Sequence, residues 1–124
     1  MKLSTHQFEF LKDVGALIDF IANVKKVKIT GGWLERDYAA QKRLYDKGLS
    51  KTLDSNHMKR LAIDLNIFIG NAVLTNTRKK HLTKDGSDLL NEIGVFWENL
   101  HELNRWGGFF NSIYDPGHFE RHIK

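Results

Sequence analysis

Apolar residues at Phe10, Val14, Leu17, Ile18 and Ile21 recur at three-and-four spacing and predict an amphipathic helix over residues 4–24. Ser4 and Gln7 stand three apart at its start and are expected to form a capping box. Residues 27–30 are a short strand candidate, stopped by Gly31 and Gly32. Residues 37–47 read as a second helix ended by Gly48, and residues 49–59 as a polar loop. The clearest strand is 61–69. Leu61, Ile63, Leu65, Ile67 and Ile69 fall on one face, and Ala62, Asp64, Asn66 and Phe68 on the other. Gly70-Asn71 suits a two-residue turn, with 72–74 returning as a partner strand. Residues 87–104 predict a third helix that buries Leu89, Leu90, Ile93, Phe96, Trp97, Leu100 and Leu103. From Arg105 on the chain is rich in aromatics and glycine, and is expected to end in a short strand around Phe119. Helices flanking a small, mostly antiparallel sheet make an α+β fold.

The chain has 124 residues, one domain's worth, with no linker or repeat in view. It has no cysteine. A disulfide framework, a thiolate nucleophile and a thiolate-bound metal are excluded, so any metal must be held by His, Asp and Glu. No apolar run approaches the ~18 residues of a membrane span. Glu9, Lys12 and Asp13 interrupt what would be the apolar stretch of an export signal, so the chain is expected to be made in the cytoplasm without a signal peptide. A net charge of +4 admits nucleic acid, anionic lipid or an anionic polymer as partner and chooses none of them. The densest basic runs, residues 25–28 and 78–81, read as solvated surface.

Two clusters can carry chemistry, residues 55–64 and 115–120. Asp64 sits in an apolar strand, opposite its isoleucines and leucines. If buried there, its carboxylate must be paired or bound to a metal. His57 lies just before the same strand, and His118 can supply a third ligand. Two histidines, one carboxylate and an open fourth position make a catalytic zinc site. Spacing alone leaves the plainer readings open: an exposed Asp64 on a half-solvated sheet, a loop His57, a tail His118 bonded to backbone. His6, His81, His101 and His122 show no partner pattern and read as surface or structural, with His122 and Glu120 as substitutes for His118.

The run from Ser55 through His57 and Ala62 to Asp64 resembles the Ser-x-His-x-x-Gly-x-Ala-x-Asp signature of the M15 (VanY/VanX-like) zinc peptidases. That family includes D-alanyl-D-alanine peptidases and phage L-alanyl-D-glutamate endolysins. Asp115-x-x-His118-Phe119-Glu120 is similar to its closing motif, in which an acidic base precedes the last zinc ligand by three residues. Arg36, Gln41, Leu44 and Tyr45 resemble its Arg-x-x-x-x-Gln-x-x-Leu-Tyr helix. Two positions depart: Arg60 stands where the family has glycine, and Trp33-Leu34-Glu35 where it has Gly-Tyr before the arginine.

The resemblance implies a Hedgehog/DD-peptidase-like domain over residues 1–124, one zinc held by His57, Asp64 and His118, Asp115 as general base and Arg36 facing the oxyanion. Ser55 and Gln41 are expected to contact substrate, and Trp106 to line the cleft if it is not core. The implied enzyme is a monomeric, zinc-dependent peptidoglycan peptidase of phage or prophage type, reaching the wall by a separate route. An L-alanyl-D-glutamate endopeptidase is favoured over a D-alanyl-D-alanine carboxypeptidase, and the stem peptide is the partner rather than nucleic acid. Two rivals remain: a non-catalytic, Hedgehog-like zinc domain, which would more readily have lost Asp115, and a small basic nucleic-acid module, for which no recognised motif is present.

Overall fold

Two amphipathic helical stripes and one alternating strand build most of the core. The computed structural model describes residues 1–32, 34–50 and 55–123. Helix α1 spans Leu3–Asp19 and continues as a π-helical turn over Phe20–Val24; it buries Phe10, Val14, Leu17 and Ile21. The expected capping box does not form. The first helical turn has no side-chain cap, and Gln7 Nε2 instead donates to the Lys59 carbonyl, 2.9 Å away. Strand β1 (Ile29–Gly31) follows, then α2 (Tyr38–Asp46), where the Asp37 side chain accepts from Ala40 N at 2.7 Å. Gly48 ends that helix at φ +73°.

Strand β2 (Ala62–Ile69) turns through Gly70 into the short β3 (Ala72–Val73). Helix α3 runs Lys84–Leu100, capped by Thr83 Oγ1 on Gly86 N. It starts earlier and stops sooner than expected, because Asn104–Trp106 extend as strand β4 beside β5 (His118–Arg121). Leu103 therefore lies beyond the helix.

All pairings are antiparallel, in the order β1-β2-β5-β4, with β3 also on β2. Directly opposed residues share a face. Ile63, Phe119 and Trp106 line up across β2, β5 and β4 and pack beneath α1 and α3 with Leu65, Ile67, Leu90, Ile93 and Trp97. The other face carries Asp64 opposite His118, and Ala62 opposite Glu120. The α+β expectation holds, with the apolar period of β2 pointing one face at the helices and the other at the site. No helix among the described residues is long and apolar enough to cross a membrane.

Candidate active site

His57 is positioned by a single 3₁₀ turn, Asn56–Lys59, inside the stretch expected as loop; residues 51–54 of that stretch lie outside the described residues. Ser55 caps the turn by accepting from His57 N at 3.2 Å. The turn closes on Arg60, which adopts the left-handed conformation at φ 56°, ψ 39°. This backbone suits glycine, the residue the signature carries there. The Arg60 side chain does not line the cleft. It is 60% exposed and pairs with Glu35 at 3.1 Å. A left-handed non-glycine costs about 1–2 kcal/mol, and an exposed ion pair offsets little of it. Arg60→Gly is therefore expected to raise stability by about 1 kcal/mol in denaturant unfolding; a loss of stability would show that the Glu35 pair dominates.

Three donors converge. His57 Nε2 lies 3.3 Å and His118 Nδ1 3.2 Å from the same oxygen, Asp64 Oδ1. One ligand atom from each of the three falls within 4.8 Å of the others. The outer nitrogens are occupied: His57 Nδ1 is 3.3 Å from the Leu34 carbonyl, and His118 Nε2 is 2.7 Å from Glu120 Oε1. The second Asp64 oxygen faces Arg36 Nη2 at 3.5 Å. Two ring nitrogens and a carboxylate oxygen aimed at one point, each ring backed by an acceptor, are the donor chemistry that zinc takes. Glu120 and His122 do not replace His118, because Glu120 sits on the far nitrogen of that ring.

Electrostatics follow from this packing. Burial alone would raise the Asp64 carboxyl, but hydrogen bonds from His118 and His57 outweigh it and hold it well below the carboxylate range. Burial likewise opposes charge on His118, yet Asp64 and Glu120 push its pKa up to about 9. The unfolded chain releases that proton near 6.5. In metal-free protein the contribution is thus complete below about pH 6.5 and fades as pH rises toward 9. Melts of chelator-treated protein are expected to lose up to about 3 kcal/mol across that window; a melting temperature that is flat with pH would mean His118 is not so held.

Asp115 is half-buried in the same cleft and is tied by its own N–H to Gly107 O (3.0 Å) and by His118 N to its carbonyl (3.1 Å). Burial raises its carboxyl; among its neighbours His118 lowers it, Asp64 raises it, and His57 and Arg36 lower it. Arg36 precedes α2 rather than sitting on its surface. It is 8% exposed, with Nη1 donating to Gln41 Oε1 at 2.8 Å. Ser55 lines the cleft. Gln41 does not; it is fully buried and braces Arg36 and Ser50 (2.8 Å). Trp33 lies outside the described residues.

Of the two places left open for Trp106, it takes the core one and does not line the cleft. It is fully buried on the core face of β4, in a slot where a Cβ at Gly94 or Gly108 would overlap its indole. Its Nε1 donates to Pro116 O at 2.8 Å, pinning the turn between Asp115 and His118. The cleft measures about 1030 Å³, and Leu44, Leu49, Phe109 and Ile113 add apolar wall. Sequence reasoning missed the backing of both rings. The His118-x-Glu120 alternation, which places both side chains on one strand face, was the available signal.

No curated protein sequence matches the chain. The crystal structure of Serratia marcescens L-Ala D-Glu endopeptidase ChiX matches with a TM-score of 0.59 at 21% identity, over 87% of this chain and 79% of that one, so the two share a fold. A family model described as D-alanyl-D-alanine carboxypeptidase matches residues 48–121, a span holding His57, Asp64, Asp115 and His118. With more than half of its length inside that match, and the fold of a peptidase around its converging donors, the chain belongs to the M15 peptidase family.

Proposed function

We propose that the protein is a monomeric zinc-dependent peptidase that hydrolyses stem peptides of bacterial peptidoglycan, acting on the L-alanyl-D-glutamate bond rather than on a D-alanyl-D-alanine end. The observation that carries the reading is the convergence of His57, Asp64 and His118 in a cleft that also holds Asp115 and Arg36. His57 Nε2, Asp64 Oδ1 and His118 Nδ1 would hold the zinc. When bound there, zinc activates a water nucleophile near neutral pH and polarises the carbonyl under attack.

The chain's own residues do the rest. Asp115 accepts the proton of the attacking water and returns it to the leaving amine. Arg36, its fork braced by Gln41, donates to the carbonyl oxygen as negative charge grows on it. Ser55 offers a polar contact on the cleft wall, and Gln41 acts through Arg36 rather than on substrate. Between the two bonds that its relatives' descriptions name, the internal one is favoured by the endopeptidase whose structure matches over 87% of this chain. A non-catalytic zinc domain is disfavoured, since such a site has no use for a desolvated carboxylate at Asp115.

Metal analysis of the purified protein and digestion of purified peptidoglycan test this together. One zinc per chain and released peptides with new D-glutamate amino termini are expected in the mass spectrum. Free D-alanine would instead indicate the carboxypeptidase. Zinc without any released peptide would return the non-catalytic reading.

A further inference from the structure

Glu120 is 5% exposed and has no part in the steps above, yet its two oxygens are fully engaged. Oε1 lies 2.7 Å from His118 Nε2. Oε2 accepts from Asn56 Nδ2 at 3.0 Å, Arg105 Nε at 3.1 Å and Arg105 Nη2 at 2.8 Å. The sheet register builds this chain of contacts. Asp64 is opposite His118 across β2 and β5, Arg105 is opposite Glu120 across β4 and β5, and His118 and Glu120 share a strand face. The relay therefore crosses three strands, from the exposed Arg105 to the half-buried Asp64.

An imidazole presents a lone pair at one nitrogen only when the other carries the hydrogen. Ionised Glu120 has no hydrogen to give, so the nitrogen that it faces must be the N–H. With no metal present Nδ1 donates its own hydrogen to Asp64, 3.2 Å away, and it is at Nδ1, not at Nε2, that a lone pair opens when that proton leaves. His57 is set the opposite way, with Nδ1 on the Leu34 carbonyl and Nε2 toward Asp64.

We propose that Glu120 is a positioning residue that commits His118 to the Nε2–H tautomer and so makes Nδ1 the metal donor, with Asn56 and Arg105 holding Glu120 in place. This rests on the zinc reading of the site. A carboxylate behind a ligating histidine fixes its tautomer and orientation and raises its basicity, and losing such a partner typically costs about 10–100-fold in metal affinity.

The test uses zinc itself and no hydrolysis. Imidazole ¹⁵N shifts of zinc-loaded, histidine-labelled protein are expected to show His118 protonated at Nε2 and metal-shifted at Nδ1. Competition with a fluorescent chelator is expected to show Glu120→Ala weakening zinc by about 10–100-fold, with its His118 ring no longer held in one tautomer. Glu120→Gln keeps an acceptor oxygen and should recover most of that loss. Arg105→Ala removes two of the three donors on Oε2 but leaves Asn56 on Glu120, so it should weaken zinc less than Glu120→Ala does; a larger loss than in Glu120→Ala would overturn the proposal. Parent-like zinc affinity and tautomer in folded Glu120→Ala would overturn the proposal. Should that variant fail to fold, zinc on Nε2 in the parent would overturn it equally, as would a parent that binds no zinc. A protein that binds zinc as described but leaves peptidoglycan intact would sink the peptidase reading and leave this one standing.

Discussion

Changing Asp115 to asparagine is expected to lower turnover by about 10²–10⁴-fold while zinc still binds. Asparagine keeps the size of the side chain but cannot take a proton. Asp115 is not one of the three converging donors, so the metal set stays intact. The backbone bonds that hold its turn, to Gly107 and from His118, do not involve the carboxylate and should survive. Burial raises the parent's carboxyl above its ordinary 3.8. In the parent, kcat/KM should rise with pH along an acid limb as this carboxyl ionises, and the asparagine variant should lose the limb. Steady-state kinetics on a defined muropeptide, beside a zinc titration, check both halves. Parent-like turnover would remove Asp115 from the mechanism.

Arg36→Lys is expected to cost about 10²–10³-fold, mainly in kcat. Lysine keeps the charge and loses the planar fork. In this site the fork has two tasks at once: Nη1 is fixed on Gln41 Oε1 at 2.8 Å, while Nη2 faces Asp64 at 3.5 Å. A single ammonium cannot hold both positions and still meet an oxyanion. Because that contact strengthens only as charge develops, KM should change little. An ordinary surface salt bridge would cost at most about 1 kcal/mol of stability and leave turnover alone. Unchanged kcat in the lysine variant would place Arg36 outside the reaction.

The fold class and most of its elements were legible because β2, α1 and α3 carry long, regular apolar periods, while α2 is marked by its Gly48 stop. Strand β4 was not, since Asn104–Trp106 is too short to show a period and continues the apolar stripe of α3. The converging donors were legible from residue type: a carboxylate amid isoleucines and leucines asks for partners, and His57 is tied to the same strand. What backs them was not. Gln7 has the spacing of a cap yet bonds a carbonyl 52 residues away. Trp106 stands beside two glycines, a context equally fitting for a cleft and for a core slot. Only the register of β4 on β5 turns its indole inward. The role of Glu120 depends on which nitrogen of His118 it meets, a fact of three dimensions.

Strand β5 comes last among the five yet lies between β2 and β4. Until residues 118–121 arrive, β2 and β4 have nothing to join them, and the face that gathers Asp64 lacks its opposite residue. During synthesis from the N-terminus, the helices can collapse early around α1 and α3, but the sheet closes only when this strand slots into the gap. The same event delivers His118. On the proposed reading the metal set is incomplete until this strand has emerged, and the moment at which the sheet becomes whole is also the moment at which the donors first meet.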